Sequence, residues 1–96
     1  MHLIFEWNER KAAANIIKHN VAFAEALTVF YDPLAFIFDD EAHSSDERRE
    51  IIIGYSNSAR LLLVSFTERQ QSLIRIISAR PATRQERKDY EERQHE

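Results

Sequence analysis

The sequence predicts one α+β domain, in which two N-terminal helices pack on a mainly antiparallel sheet and a polar C-terminal helix follows. The chain of 96 residues has the length of a single domain with one hydrophobic core. Two stretches with helical periodicity follow each other directly and precede four strand-like runs, which favours helices that share one sheet. Residues 1–96 are therefore expected to form one domain, with residues 91–96 as a frayed tail.

The N-terminal region predicts a short strand and then a helix. Residues 3–7 are apolar and aromatic with one interrupting glutamate, which is typical of a short strand. Asn8 can accept hydrogen bonds from the free N–H groups of a helix start, and Asn20 can adopt the left-handed conformation that ends a helix. An apolar stripe at helical spacing lies between them, made of Ala12, Ala13, Ile16 and Ile17. A helix is expected over residues 9–19.

A second helix and four further strands are expected in the middle of the chain. Apolar residues at helical spacing predict the helix, namely Phe23, Ala26, Leu27 and Phe30. The Asp32-Pro33 pair ends it, because proline cannot continue a helix. Runs rich in Ile, Val, Leu and Phe predict strands over residues 34–38, 50–55, 60–67 and 73–79. The connections at residues 56–59 and 69–72 have the length of hairpin loops.

The last segment begins with a capping box. The Thr83 hydroxyl can accept a hydrogen bond from the backbone N–H of Glu86, whose carboxylate can accept one from the backbone N–H of Thr83. A helix is expected over residues 84–93. Tyr90 is its only large apolar residue, so the helix either frays at the surface or docks on another surface. We expect partner binding to involve this helix or the nearby sheet edge.

The charge distribution favours a polyanionic ligand although the formal net charge is -3. Residues 60–88 carry seven basic and two acidic side chains, which gives this segment a charge of +5. Residues 31–50 carry seven acidic and two basic side chains and have a charge of -5. A local basic field can attract phosphate groups despite an acidic total.

The composition also argues against several classes of protein and site. The absence of cysteine excludes disulfide frameworks, thiolate zinc sites and cysteine nucleophiles. The N-terminus has neither a basic n-region nor a long apolar stretch, so a cytoplasmic protein without membrane insertion is expected. The acidic residues 39–46 show no recognised ligand spacing, so we expect no metal or cofactor. This segment is expected to be a solvated loop or the docking site of a basic partner.

His19 is the first candidate for acid–base chemistry. RNA cleavage without a metal needs a proton acceptor for the 2'-OH, cations for the phosphate and a proton donor for the 5' oxygen. His19 is the only histidine inside a predicted helix or strand, but it could equally pack behind Ile16 at the helix end. Lys18 lies about 100° away around the helix, and its alternative is a solvated charge.

The segment RIISAR, residues 75–80, places two arginines near the end of a strand. Strict alternation puts Ser78 and Arg80 on one face with Ile76, and Arg75 on the other face. Arg80 lies where the chain leaves the sheet, from where a guanidinium can bind a phosphate through two N–H groups. The alternative for Arg80 is an ion pair with Glu86 or with the acidic segment.

Further basic residues extend the candidate RNA-binding surface. Arg48 and Arg49 precede a predicted strand and Arg69 ends another, and each is otherwise a solvated charge. On the last helix a basic ridge of residues at i, i+3 and i+4 can contact phosphates, or pair with neighbouring glutamates instead. This ridge consists of Arg84, Arg87 and Lys88.

Several stretches, taken together and in order, resemble the BrnT family of bacterial toxins. They are FEWNERKAAANIIKHNVAF, the Asp32-Pro33 pair, RREIIIG, FTER and RIISARPATRQERKDYEE. The most specific are the Lys18-His19 pair and the ending RIISAR-x-A-T-x-x-E-R-x-x-Y. Asn8 and Asn20 stand where the family usually has Asp and Gly, and asparagine can cap a helix at either end.

The resemblance implies a RelE-like fold and a ribonuclease that cleaves RNA without a metal and arrests translation. It also implies a BrnA-type antitoxin that binds the toxin and, through its own DNA-binding domain, represses their shared operon. A homodimer, or a heterotetramer with the antitoxin, is a separate expectation. The positions that match family-typical residues are Lys18, His19, Arg49, Glu68, Arg69, Arg75, Ser78, Arg80, Arg87 and Tyr90. We predict as catalytic residues His19, Arg80, Arg49 and Arg69. We predict as RNA-binding residues Lys18, Arg48, Arg75, Ser78, Arg84, Arg87 and Tyr90.

Two other functions remain open at the level of the sequence. The first is a binding module without catalysis, such as an inactive toxin or a co-repressor subunit, whose arginines hold an acidic partner protein. The second is a DNA-binding regulator, but the sequence shows no helix-turn-helix or ribbon-helix-helix pattern. DNA contact is therefore expected only through the partner.

Overall fold

The chain forms five strands and three helices in the order β1, α1, α2, β2, β3, β4, β5, α3, in a computed structural model that describes residues 2–95. The strands are β1 (Ile4–Glu6), β2 (Phe36–Asp39), β3 (Glu50–Tyr55), β4 (Leu61–Gln70) and β5 (Leu73–Pro81). The helices are α1 (Glu9–His19), α2 (Phe23–Ala26) and α3 (Arg84–Arg93). α2 continues as the 3-10 helix Leu27–Tyr31, and a 3-10 turn, Glu41–His43, lies between β2 and β3. Met1 and Glu96, the ends of the predicted domain and tail, lie outside the described residues.

The predicted ends of α1 and α3 are confirmed at their caps. The Asn8 side chain accepts a hydrogen bond from the Lys11 N–H at 3.0 Å. Asn20 is left-handed, with φ 58° and ψ 37°, and donates its N–H to the Ile16 carbonyl at 2.8 Å. Both bonds of the capping box between Thr83 and Glu86 are present. α3 continues to Arg93, into the segment that was predicted to fray.

The five strands form one mixed sheet in the order β1-β5-β4-β3-β2. β1 runs parallel to β5, and the other neighbouring pairs are antiparallel, as expected for a mainly antiparallel sheet. β4 extends to Gln70, beyond its predicted end, so the turn to β5 contains only Gln71 and Ser72. Ser72 adopts a positive φ of 70° in this turn.

The main core lies on one face of the sheet, under the segment from α1 to the 3-10 helix. This core consists of Val21, Phe23, Ala26, Val29, Ile52, Leu62, Val64, Phe66, Ile74, Ile76 and Ala79. Most of the predicted apolar stripe of α1 does not cover it, because Ile17 is 88% exposed and Ile16 is 48% exposed. α1 packs on the core with Ala12, which belongs to the stripe, and with the buried Asn15, which does not. The interpretation of Ile16 and Ile17 as packing residues of α1 is therefore wrong.

A smaller core lies on the opposite face of the sheet, under α3. It contains Ile53, Leu61, Leu63 and Tyr90. The Tyr90 hydroxyl donates to the Leu34 carbonyl at 3.2 Å, and the Arg93 guanidinium lies 4.9 Å from the centre of the Phe36 ring. α3 therefore docks on the sheet of its own chain through one tyrosine and a cation–π contact. Each helix among residues 2–95 is too short or too polar to cross a membrane.

Candidate active site

A bulge in β5 changes which side chains face the second side of the sheet. Phe66 of β4 pairs with Ile76 of β5, but the adjacent Ser65 pairs with Ser78. Ile77 is therefore an extra residue that has no partner in the ladder. Side chains no longer alternate across such a bulge, because two consecutive residues of the bulged strand oppose one residue of its neighbour.

The bulge brings both arginines of β5 to the same side of the sheet. Ile76 and Ala79 both belong to the main core, so Arg75, Ser78 and Arg80 face away from it. The prediction that Ser78 and Arg80 share the face of Ile76 is wrong. The prediction that Arg75 and Arg80 lie on opposite faces is also wrong. Both predictions assumed that side chains alternate without interruption along β5.

Helix α1 is attached to the edge of β5 where β1 ends. β1 pairs with β5 only over residues 73–75. Beyond this point, the Asn15 side-chain amide donates to the Ala79 carbonyl at 2.8 Å, and the Ala79 N–H donates to Asn15 Oδ1 at 3.1 Å. The same amide also donates to the Val21 carbonyl at 2.8 Å. Asn15 thus pairs with the strand edge as a neighbouring backbone would, and this attachment positions His19 at the end of α1.

An open cleft of about 290 Å³ lies on the second face of the sheet, beside the bulge. Its walls are His19, Asp40, His43, Arg49, Ile51, Leu63, Ser65, Ile77, Ser78 and Arg80. Four predicted site residues lie here, namely His19, Arg49, Ser78 and Arg80. His19 is half-buried, so its ring remains in contact with solvent. α1, the segment before β3 and the end of β5 therefore meet at one place.

Arg80 is held by Glu86 but keeps free donors. Its Nη1 and Nη2 atoms donate to the two carboxylate oxygens of Glu86, each at 2.8 Å, so the ion pair expected as an alternative is confirmed. These bonds lower the pKa of Glu86 to about 2, and the same partner raises the pKa of Arg80. Nη1 also donates to the Pro81 carbonyl at 3.3 Å. The Nε–H and one hydrogen of Nη2 have no partner among residues 2–95, and this pair of donors can bind two phosphate oxygens.

Arg49 has an anchored backbone and a free side chain. Its N–H donates to the Ser44 hydroxyl at 2.8 Å, and its carbonyl accepts from the Asp40 N–H at 2.9 Å. Within the described part of the chain, the Arg49 guanidinium makes neither a hydrogen bond nor an ion pair. Arg49 therefore brings a positive charge without an ion-pair partner to a cleft that Asp40 also lines, whereas Arg80 is paired directly with Glu86.

The sequence interpretation missed the pair Asp40 and His43. His43 was assigned to a solvated acidic loop, but its ring lines the cleft, with Nδ1 at 3.0 and 3.1 Å from the two carboxylate oxygens of Asp40. The spacing of three residues is a signal that could have found the pair, because a 3-10 turn aligns residues i and i+3. Among residues 2–95, no group of three or more His, Asp or Glu side chains could hold a metal ion.

Three predicted arginines lie outside the cleft and are paired with acidic side chains. Arg48 donates to Asp39 at 2.8 Å. Arg75 donates to Glu6 at 2.9 Å. Arg69 lies 3.7 Å from the same glutamate and 3.9 Å from Glu47. These neighbours reduce the charge that the three arginines can offer to a phosphate.

The remaining predicted residues are also separate from the cleft. Lys18 is exposed on α1, and Arg84 is exposed on α3. Arg87 is exposed as well and donates to the Tyr55 hydroxyl at 3.2 Å. Tyr90 is only 5% exposed and packs against Phe36 and Tyr55, which is the position of a core residue. RNA binding by these four residues stays a prediction.

Comparisons with known proteins point to one family. A family model described as "Ribonuclease toxin, BrnT, of type II toxin-antitoxin system" matches residues 7–86. The chain is similar to a crystal structure of the Brucella abortus ribonuclease toxin BrnT, with 28% sequence identity and a TM-score of 0.65. The similarity covers 88% of this chain and 99% of that chain. No curated protein matches the chain significantly.

Proposed function

The chain belongs to the BrnT family of ribonuclease toxins of type II toxin-antitoxin systems, and we propose that it cleaves RNA without a metal in the cleft beside the β5 bulge. One observation carries this proposal: His19, Arg49 and Arg80 line the same open cleft, and both arginines keep guanidinium donors without a partner among residues 2–95. Cations and a proton-transfer group at one site are what metal-free cleavage of a phosphodiester requires.

In this mechanism Arg49 and Arg80 have different tasks. The Nε–H and Nη2–H groups of Arg80 bind the phosphate at the cleaved bond and fix its orientation. The unpaired guanidinium of Arg49 stabilises the negative charge that grows on this phosphate in the transition state. His19 transfers a proton during the reaction. Arg48, Arg69 and Arg75 have acidic partners outside the cleft, so we assign them no direct part in the chemistry.

The cellular role that we propose is arrest of translation by a toxin of RelE-like fold. The toxin acts in the cytoplasm, and a BrnA-type antitoxin neutralises it and contacts DNA on behalf of the complex. A family of type II toxins implies an antitoxin partner. The adjacent open reading frame should therefore encode a small ribbon-helix-helix protein. A neighbouring gene of another kind would contradict this assignment of the partner.

We propose that the antitoxin binds at the β2 edge beside α3. Ile37 is 54% exposed and Phe38 is 46% exposed on this edge strand, and such edges are open to pairing with another chain. A cavity of about 400 Å³ between β2 and α3 is lined by Phe38, Tyr90 and Arg93, among others. Ile37→Lys should weaken antitoxin binding by about tenfold or more without loss of RNA cleavage. Ile4→Lys, at an exposed apolar residue of the opposite edge strand β1, is the matched control.

The double variant His19→Ala with Arg80→Ala tests the proposed site. It should lose both RNA cleavage in vitro and growth arrest in cells, while its circular dichroism spectrum remains that of the wild type. A control double variant, His95→Ala with Arg10→Ala, changes the same residue types at exposed positions outside the cleft. Unchanged toxicity of the folded His19 and Arg80 variant would exclude this site, and a purified wild-type protein that cuts no RNA would favour a binding module without catalysis.

A further inference from the structure

We propose that His43, oriented by Asp40, is a second catalytic histidine of the cleft and accepts the proton of the RNA 2'-OH. His19 then protonates the departing 5' oxygen. This inference rests on the proposed ribonuclease activity and assigns the proton transfers within it.

The contact between Asp40 and His43 fixes the orientation of the imidazole ring. Both carboxylate oxygens of Asp40 lie within 3.1 Å of His43 Nδ1. An ionised carboxylate can only accept, so the hydrogen must be on Nδ1 and the lone pair of the neutral ring is on Nε2. A carboxylate in this position also stabilises the imidazolium that forms when Nε2 takes up a proton. The pair therefore has the arrangement of a general base and its positioning residue.

Asp40 and His43 differ in exposure as expected for a shielded positioning residue and an accessible general base. The Asp40 side chain is 15% exposed, whereas the His43 side chain is 66% exposed. The Asp40 side chain is thus mostly shielded from solvent, as a positioning residue would be, and both residues line the cleft. The ring itself lines the cleft and is open to a ligand.

The loop that carries this pair is tied to Arg49. The Ser44 hydroxyl donates to the Asp40 carbonyl at 2.8 Å and accepts from the Arg49 N–H at 2.8 Å. The Asp40 N–H donates to the Arg49 carbonyl at 2.9 Å. These bonds close the segment between β2 and β3, so the proposed base and the free cation of the cleft are held by the same network. An otherwise exposed loop residue is thereby fixed relative to the phosphate site.

His19 lies in the same cleft, at the end of α1. Because His43 accepts the proton of the 2'-OH, His19 is the group that donates a proton to the 5' oxygen. The O2'–H bond breaks and its proton moves to Nε2 of His43, while O2' forms a bond to phosphorus. The bond from phosphorus to O5' breaks, and His19 gives a proton to O5'. The products are a 2',3'-cyclic phosphate and a 5'-hydroxyl end, so no water, metal or other reactant is consumed in this step.

The test uses the full chain and two versions of one RNA oligonucleotide. One is ordinary RNA, and the other has sulfur in place of the leaving 5' oxygen at the mapped cleavage site. A thiolate leaves without protonation, so the sulfur substrate removes the need for a general acid but not for a general base. His43→Ala should cleave both substrates about 100-fold to 10,000-fold more slowly than the wild type. His19→Ala should be slow on ordinary RNA and close to the wild type on the sulfur substrate.

Asp40→Asn separates positioning from a structural effect. It should lower kcat with little change in KM, and Asp40→Asn combined with His43→Ala should be no slower than His43→Ala alone, because Asp40 acts through the ring. Full additivity of the two changes would show that Asp40 does not act through His43.

Further outcomes separate this inference from the proposed function. His95→Ala is the matched histidine control and should cleave as the wild type does. A folded His43→Ala variant that cleaves ordinary RNA within about threefold of the wild type would overturn the inference. If the sulfur substrate restored the cleavage rate of His43→Ala rather than that of His19→Ala, the assigned roles of general base and general acid would be overturned. A wild-type protein that cleaves no RNA would instead contradict the proposed ribonuclease function.

Discussion

The two halves of β5 differ in their neighbours, and this difference creates the cleft. Before Ile77 the strand lies between β1 and β4, and Arg75 is occupied by Glu6. After Ile77 the strand pairs, among residues 2–95, with β4 alone, and Asn15 of α1 holds its other edge. This second half carries Ser78 and Arg80 into the cleft. The comparison indicates that the site forms where a helix replaces a strand at the sheet edge.

The largest expected effect on RNA cleavage comes from replacing one arginine in each half of β5 by alanine, in two separate variants. Arg80→Ala should lower the rate of RNA cleavage by about 100-fold, the usual loss when the reacting group is no longer held in the correct orientation. Arg75→Ala should lower it by less than about threefold, because Arg75 lies outside the cleft and is paired with Glu6. The measurement is the single-turnover cleavage rate of both variants on the same RNA. Equal losses would show that the two halves are not functionally distinct.

The attachment of the second half to α1 predicts a large effect on stability. Asn15→Ala leaves the buried polar groups of Ala79 and Val21 without their partner, so the free energy of unfolding should fall by about 2–4 kcal/mol. Asn8→Ala, which removes only a helix cap, is the control and should cost about 1 kcal/mol. Urea unfolding of both variants measures the difference. A smaller loss for Asn15→Ala than for Asn8→Ala would contradict the role of Asn15 as a substitute for a strand.

A smaller effect on stability is expected from the ion pair between Arg80, in the second half of β5, and Glu86. The pKa of Glu86 is about 2, below its ordinary value of 4.5. Its contribution to stability is therefore complete above pH 4.5 and is lost as the pH falls through 2. Glu86→Gln keeps the capping box, since glutamine serves at this position, but removes the titrating group. The free energy of unfolding of the variant should fall less steeply between pH 4.5 and 2 than that of the wild type.

Parallel slopes for the wild type and Glu86→Gln would show that this pair does not contribute to the acid sensitivity of the fold. The other carboxylates titrate in both proteins, so the difference between the two curves isolates Glu86. The experiment thus measures how firmly Arg80 is held before RNA binds.

The sequence was sufficient where the determining contacts are local. Asn8, Asn20 and the Thr83 capping box set the ends of α1 and α3 through bonds within a few residues, and these ends were predicted correctly. Apolar runs likewise indicated the strands. The choice of His19 and Arg80 as central residues, flanked by Arg49 and Arg69, came from the family resemblance together with residue chemistry. The structure brings His19, Arg49 and Arg80 to one cleft and places Arg69 outside it.

The features that the sequence did not reveal depend on contacts between distant segments. The bulge at Ile77 is set by the register between β4 and β5, and no glycine or proline marks it. Asn15 bonds to Ala79, 64 residues away, so the inward face of α1 is polar where periodicity favoured Ile16 and Ile17. His43 sits in an acidic segment whose composition is typical of a solvated loop, and only its contact with Asp40 distinguishes it.

Two adjacent arginines test most directly whether the cleft is the catalytic site. Arg49 lines the cleft with a free guanidinium, whereas its neighbour Arg48 is paired with Asp39 outside it. RNA cleavage should fall by about 100-fold or more in Arg49→Ala and by less than about threefold in Arg48→Ala, with both proteins folded. If Arg48→Ala is the more damaged enzyme, or if neither variant loses activity, the site lies elsewhere on the molecule.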